Sequence, residues 1–471
     1  MSPADQALEM LLHLAARPRP DFASIELQAP ALATRFRADE AAAAAIAAGG
    51  VIAADIWEMR GGKAQRVSVA TREAAAALMS FAHQRFEDAS KAPESFEVAL
   101  ASRTAANGFL KAKDGRFVYL HQSFPESTKK LMRILACEDT PEAEKAAMLM
   151  RDAMDWEHLA ADAGVCGAMC RSPEEWDASE QGRELAAHPV VEVIKISDSD
   201  PEPMRGGIAP LTGIRVLDLT RVLAGPTCAR TLAHYGADAM VISAQDLPSI
   251  PSFVTDTGHG KRAAFCDLRT IDGRAGLQRL VRSADVFSQG YRQGALSRLG
   301  FSPVDLAGLR PGLIVVETNC YGHEGPWRGR PGWEQLAQTV TGMAYQHGGA
   351  GSPALQPAAV CDYTTGFLAA FGALVALKRR ALYGGSYLVR ASLCQTAMWV
   401  RGLGYAGDSR LQAEGLKPEE IESWRISADT GFGPMRFLRP AVRMSATPAV
   451  WTQGVVPLGT HPAAWAGPDD A

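Results

Sequence analysis

The chain has 471 residues, 47% hydrophobic and 21% charged, and its 48 basic and 52 acidic side chains leave a net charge of -4. That length suggests two to four domains with room for a substantial core. The mild acidity excludes the basic footprint of a nucleic-acid binder and an anionic-membrane binder, and leaves neutral or anionic small molecules open.

The start, MSPADQALEM, has no basic stretch followed by an apolar run, so no secretory signal is expected. No stretch of about 18 apolar residues runs without polar breaks, so no membrane span is expected. The eight cysteines are sparse, and Cys166 and Cys170 are the only close pair. Their spacing is not the CxxC of zinc or redox sites, which points to reduced, packed thiols in a cytoplasmic protein with no metal.

In chain order, AAAAAIAAGG at 41–50 reads as a helix ending at Gly49-Gly50, and 51–62 as a second helix with a glycine stop. AQRVSVA (64–70) reads as a strand and 71–86 as a helix. GRFVYL (115–120) alternates like a strand after the turn Lys113-Asp114-Gly115. Helical patterns fill 126–163, HPVVEVIKI (188–196) is a strand, and the Pro- and Gly-rich 198–210 is the main linker.

Beyond the linker, short apolar strands at 213–220, 239–243, 285–289 and 312–319 alternate with helices at 224–237 and 267–284. That alternation predicts βαβ units and a parallel sheet. Pro226 stands at a plausible first helical position. A long helix at 362–385 ends on two glycines, followed by the strand YLVRASL (387–393). The stretch Trp57–Ala75 echoes Ala381–Ala397: helix end, glycine pair, strand, helix, with a one-residue slip. The echo is too short for a solenoid.

Three segments could carry chemistry. LTRVLAGPTCA (219–229) joins a strand to a helix, where a small-residue turn and unpaired helix N–H groups suit an anion, although spacing alone favours an ordinary strand–helix turn. It lacks the GxGxxG of dinucleotide sites. TGHGKRAAFCDL (257–268) offers Lys261 and Arg262 to phosphates or simply to solvent, and is not a Walker A loop. Asp362 begins the long apolar helix, as an N-cap or, if desolvated, as a covalent nucleophile. Cys361 beside it is a weaker candidate, and neither GxSxG nor HExxH occurs.

Taken together, GIRVLDLTRVLAGPTCARTLAHYGAD (213–238), GHGKRAAFCDL (258–268), ADVFSQGYRQGALSRLGF (284–301), 310–343 and AVCDYTTGFLAAFGALVALKRR (359–380) resemble the class III CoA-transferases, the CaiB/BaiF family. The resemblance implies an α/β fold: a doubly wound, Rossmann-like parallel sheet with a smaller α+β domain. It also implies transfer of CoA between an acyl-CoA and a carboxylic acid through an aspartyl mixed anhydride and an aspartyl-CoA thioester, with Asp362 as nucleophile and no separate cofactor. By matching position, Val222, Leu223, Ala224 and Gly225 would line CoA. Lys261, Arg262 and Leu268 would lie near its nucleotide end, with Tyr291, Arg292 and Arg298 beside them. The family forms interlocked dimers, so a homodimer is expected. A racemase of the same fold carries a His where Trp333 stands here, so transfer is favoured over racemisation, isomerisation or lysis. A non-catalytic CoA-binding homologue is the remaining alternative.

The segment order departs from that family. Stretches resembling its small domain, 107–125, 164–176 and 188–193, precede the sheet, and 432–448 resembles a C-terminal segment. Ser243 replaces a usual Lys, Gly290 and Gln293 replace Asn and Pro, and no glycine-rich loop is evident after 400. The chain therefore reads as a truncated copy, about 25–200, fused ahead of a copy lacking its small domain. The expected units are a large-domain-like segment (1–100), a small domain (101–200), the CoA-binding domain (201–405) and a returning C-terminal segment (406–471).

Overall fold

The computed structural model describes residues 1–92 and 108–465. Its strands in chain order are β1 (Ala23–Glu26), β2 (Val67–Ala70), β3 (Arg85–Phe86), β4 (Gly108–Lys111), β5 (Phe117–Leu120), β6 (Gly167–Met169), β7 (Val191–Ser197) and β8 (Arg215–Leu219). There follow β9 (Asp238–Ser243), β10 (Lys261–Phe265), β11 (Val286–Gln289), β12 (Ile314–Asn319), β13 (Ser386–Ser392), β14 (Arg425–Ala428), β15 (Met435–Leu438) and β16 (Val442–Met444).

The apolar runs beyond residue 210 form one seven-stranded sheet of order β10-β9-β8-β11-β12-β13-β7. Helical crossovers return the chain to the same end of each successive strand, which forces parallel pairing. Only β7 runs antiparallel, against β13. The chain winds from β8 outward through β9 and β10, then in the other direction from β11, so the order reverses between β8 and β11. A doubly wound sheet opens its ligand crevice at such a reversal, beyond the carboxyl ends of the strands. This is the expected α/β architecture.

The smaller unit is the antiparallel sheet β4-β5-β6 covered by helices Pro125–Leu135, Pro141–Met148 and Ala153–Asp162, with a core of Val118, Leu131, Trp156 and Met169. The expected boundary near 200 does not bound this unit, because β7 leaves it to complete the large sheet. A further sheet, β1-β2-β16, joins the two ends of the chain: β2 is parallel to β1 and antiparallel to β16. A third three-stranded sheet, β14-β15-β3, does the same. One core cluster accordingly links Leu8, Ile52, Val69, Val216, Phe371 and Val442.

Two helices, Ala38–Met59 and Val360–Tyr383, are long and apolar enough to cross a bilayer, and both lie buried in the protein, packed on each other. The expected stop at Gly49-Gly50 is not a stop: a single helix runs through it to Met59. A Cβ on Gly50 would come 2.7 Å from Val67 and 2.9 Å from Val442. The glycine is needed for close approach to β2 and β16, a demand no local sequence signal carries. The expected helix over 71–86 is shorter, Thr71–Ala77, and is followed by a 3-10 turn at Ser80–His83. That turn delivers the Ser80 hydroxyl to Asp256 at 2.9 Å.

Candidate active site

Asp362 lies in the first turn of Val360–Tyr383 but does not cap it, contrary to the N-cap expectation; the cap position is Ala359. Glu334, at the start of helix Glu334–Val340, takes the cap's role. Its carboxylate accepts the Cys361 N–H at 3.0 Å, the Asp362 N–H, and the Gln338 amide. A carboxylate against the positive end of a helix satisfies N–H groups that would otherwise lack partners. The Asp362 side chain, 6% exposed, accepts no hydrogen bond among the described residues. Burial, and the facing Glu334 carboxylate, push the Asp362 carboxyl well above its ordinary range. Burial also raises Glu334, opposed by its hydrogen bonds. Burial and the neighbouring Glu334 charge both favour the protonated form of Asp362.

The adjoining residue is locked. Tyr363 donates its hydroxyl to Asp256 at 2.8 Å, and Arg230 pairs with the other oxygen of Asp256 at 2.7 Å. Ser80 of the N-terminal segment joins the same cluster. Asp362 therefore sits on a turn fixed from three elements. The neighbouring Cys361 thiol is fully buried, and burial raises it well above its usual range, which leaves it protonated and inert.

A cavity of about 280 Å³ opens beside Asp362. Its walls include Trp333, Phe124, Phe81, Leu355, His121 and Val222. It shares Phe124, Val222, Ile250 and Phe253 with a second cavity over the sheet face, lined by Arg221, Val241, Ser243 and Lys261. That one shares Ser243 with a third, of about 230 Å³, lined by Leu268, Tyr291, Arg269 and Leu299. The second cavity thus shares wall residues with each of the others, and Thr220 and Ser243 place it beside the ends of β8 and β9.

The structure distributes the residues expected at the CoA site unevenly. Val222 and Leu223 line the Asp362 cavity, and Val222 has φ 69°, a left-handed backbone that a β-branched residue rarely adopts. Such strain clusters at functional turns. Ala224 and Gly225 open the helix Ala224–His234, which Leu223 leaves without a side-chain cap. Gly225 admits no Cβ, which would lie 2.4 Å from Thr220. Pro226 is the third helical residue, not the first, and its missing N–H is still costless there.

Lys261 lines the second cavity but is 2% exposed, with its Nζ 2.6 Å from Asp218 and 2.8 Å from the Pro226 carbonyl. Burial lowers its pKa against the pull of Asp218. It is thus neither a solvated cation nor one free for a phosphate. Arg262 pairs with Asp238 at 3.1 Å and stacks on Trp465. Leu268 and Tyr291 meet in the third cavity. Arg292 instead reaches the Gly164 carbonyl of the smaller unit at 2.9 Å, and Arg298 stays in the 3-10 turn Ser297–Leu299, outside the three cavities.

Sequence reasoning missed two wall residues. His121, beside β5, stacks on Trp333 with ring centroids 5.7 Å apart. Arg221 places its guanidinium 5.7 Å from the Phe124 ring. Arg221 was visible next to the anion-binding turn; nothing local marks His121. Among the described residues, no group of three or more His, Cys, Asp or Glu comes together to hold a metal.

The family model for CoA-transferase family III matches residues 24–202 and 211–423. An "Acyl-CoA transferase" of Gibberella moniliformis is 34% identical over 256 residues, 51% of this chain and 45% of that protein. An "Acetyl-coenzyme A transferase nodX" of Hypoxylon pulicicidum is 32% identical over 332 residues, 65% and 56% of the two. The "Succinyl-CoA--L-malate CoA-transferase beta subunit" of Chloroflexus aurantiacus is 31% identical over 201 residues, 40% and 50%. Among solved structures, a CaiB/BaiF family protein from Brucella suis aligns with 27% identity and a TM-score of 0.38, over 41% of this chain and 56% of that one. The chain spans about half the length of the curated relatives it matches. With both parts of the family match spanning the large sheet, the smaller unit and Asp362, the chain belongs to CoA-transferase family III.

Proposed function

We propose that the protein transfers CoA from an acyl-CoA thioester to a carboxylic acid, with Asp362 as the covalent nucleophile. The single observation that carries this is a buried Asp362 carboxyl that accepts no hydrogen bond among the described residues and lines a cavity of about 280 Å³. The Asp362 carboxylate attacks the thioester carbon, and the CoA thiolate leaves, giving a mixed anhydride. The thiolate attacks the aspartyl carbonyl, the donor acid departs as a carboxylate, and an aspartyl-CoA thioester remains. The acceptor carboxylate attacks that thioester and expels the thiolate, forming a second anhydride. Thiolate attack on the acceptor's acyl carbon gives the new acyl-CoA and frees Asp362.

The residues at hand suit these steps. A carboxylate is a poor nucleophile in water, and burial strips its hydration. Glu334 holds the first turn through two backbone N–H groups and repels negative charge on Asp362, which makes the carboxylate more basic. The uncapped first turn of Ala224–His234 offers N–H groups for the developing oxyanion. Trp333, Phe124, Phe81 and Leu355 suit an acyl group with an apolar body.

The test is a panel of acyl-CoAs and acids followed by mass spectrometry of the CoA esters, with hydroxylamine to trap the aspartyl intermediate. Transfer that disappears in Asp362→Ala, with a hydroxamate at Asp362 in the unaltered protein, is the expected outcome. Full activity in that variant would defeat the proposal. One observation favours a second reading, α-proton exchange on an acyl-CoA: His121 and Asp362 share a cavity and could act as two bases. Solvent deuterium entering the α-carbon without exchange between acids would select it.

A further inference from the structure

Asp362 has a counterpart. Asp362 precedes the glycine pair Gly384-Gly385 by 22 residues, and Asp39 precedes Gly61-Gly62 by the same 22 residues. Both stand in the first turn of a long buried helix, Ala38–Met59 in one case and Val360–Tyr383 in the other, and the two helices pack together. After each glycine pair comes a strand, β2 or β13, that runs directly into a helix, Thr71–Ala77 or Leu393–Gly402.

The strand pairing repeats as well. β2 has a parallel neighbour, β1, and an antiparallel one, β16. β13 has a parallel neighbour, β12, and an antiparallel one, β7. The antiparallel strand in each sheet comes from the other half of the chain; β16 follows the hairpin β14–β15 directly, whereas β6 and five helices separate β7 from the hairpin β4–β5. Each half lends one strand to the other's sheet.

The two acidic side chains have opposite surroundings. Asp362 lines a cavity and accepts no hydrogen bond among the described residues. Asp39, 2% exposed, accepts from Arg410 at 2.7 Å and from the Glu40 N–H at 3.0 Å. Arg410 also holds Glu40 at 2.8 Å, and Arg37 holds the same Glu40 oxygen at 2.8 Å. The Arg410 guanidinium and a backbone N–H thus both engage one oxygen of Asp39, Oδ1. The cavity at Asp362 draws Met79 and Phe81 from the first half and His121 and Phe124 from the smaller unit, all in one chain.

We infer that this single chain holds both halves of a two-fold arrangement, closes both sheets without a second copy, and has retired the second site at Asp39. The inference goes beyond the proposed transferase activity and is tested separately from it. Ile194 and Leu388 are direct partners across β7 and β13, as are Val69 and Val442 across β2 and β16. The cysteine pairs I194C/L388C and V69C/V442C are oxidised and run on a non-reducing gel. Cross-links within one chain are expected; covalent dimers would overturn the inference. Titration calorimetry with CoA itself should give one molecule bound per chain, unchanged in Asp39→Asn, and two per chain would overturn it. Asp39→Asn should also keep the exchange rate that Asp362→Asn abolishes. Intrachain cross-links and one bound CoA, in a protein with no exchange activity, would support the duplication while sinking the transferase.

Discussion

Gly366 tests how Asp362 is held. It lies one helical turn beyond Asp362 on the same face. A Cβ there would come 2.5 Å from the Ala224 carbonyl oxygen and 2.6 Å from Thr227. Ordinary contact begins at 3.4 Å, so Gly366→Ala must push the two helices apart by about 0.9 Å, or distort the turn that carries Val222 to Gly225. Overpacking of this kind costs about 1–3 kcal/mol, while the better helix propensity of Ala returns about 1 kcal/mol. The net expectation is a loss of about 0–2 kcal/mol. Gly276 is the control: it lies inside helix Ile271–Val281, where a Cβ meets nothing closer than 3.6 Å. Gly276→Ala should gain about 0.5–1 kcal/mol. Urea unfolding reads both, and CoA-ester exchange reads the geometry, because a shift near 1 Å in a reacting group costs about 100-fold in rate. If Gly366→Ala were as stable as Gly276→Ala and as active as the unaltered protein, the close crossing would not be what positions Asp362.

Three other outcomes are expected. Glu334→Gln removes the negative charge facing Asp362, so the Asp362 pKa falls and the acid limb of the pH–rate profile moves to lower pH; an unmoved or higher limb contradicts the pairing. Asp362 and Glu334 both have folded pKa values raised above their unfolded ones, so their contribution to stability is present at low pH and lost as pH rises through the folded values. Asp362→Asn should therefore unfold at a higher temperature than the unaltered protein at neutral pH, with the gap closing toward pH 4, as calorimetry can show. Lys261→Met leaves Asp218 charged and unpaired in the core and should cost about 3–5 kcal/mol in urea unfolding, most of it recovered when Asp218→Leu is added.

The large sheet was legible because βαβ alternation is a local pattern: 213–220, 239–243 and 312–319 became β8, β9 and β12 within two residues at each end. Asp362, an acid at the head of an apolar run, read most simply as an N-cap, and only the resemblance to the CoA-transferases singled it out as a nucleophile. What escaped depends on contacts between distant residues. Gly49-Gly50 reads as a helix stop until Val67 and Val442 are seen above it. The N-cap assigned to Asp362 fails because Glu334, 28 residues earlier, reaches those N–H groups first. Lys261 looks like a surface cation because its partner Asp218 is buried 43 residues away. His121 carries no local signal, and only the docking of the smaller unit brings it to Trp333.

The exchange of β7 and β16 bears on how the chain can fold as it leaves the ribosome. Most multidomain chains fold from the N-terminus in units that close before the next emerges. Here β2 emerges with one edge bare, long before its antiparallel neighbour, Val442–Met444. Pairing across so much sequence is slow, and an open strand edge meanwhile invites association with other nascent chains. Chains that stop short of residue 442 should therefore aggregate rather than yield a folded fragment, because the bare edge of β2 stays uncovered until β16 arrives.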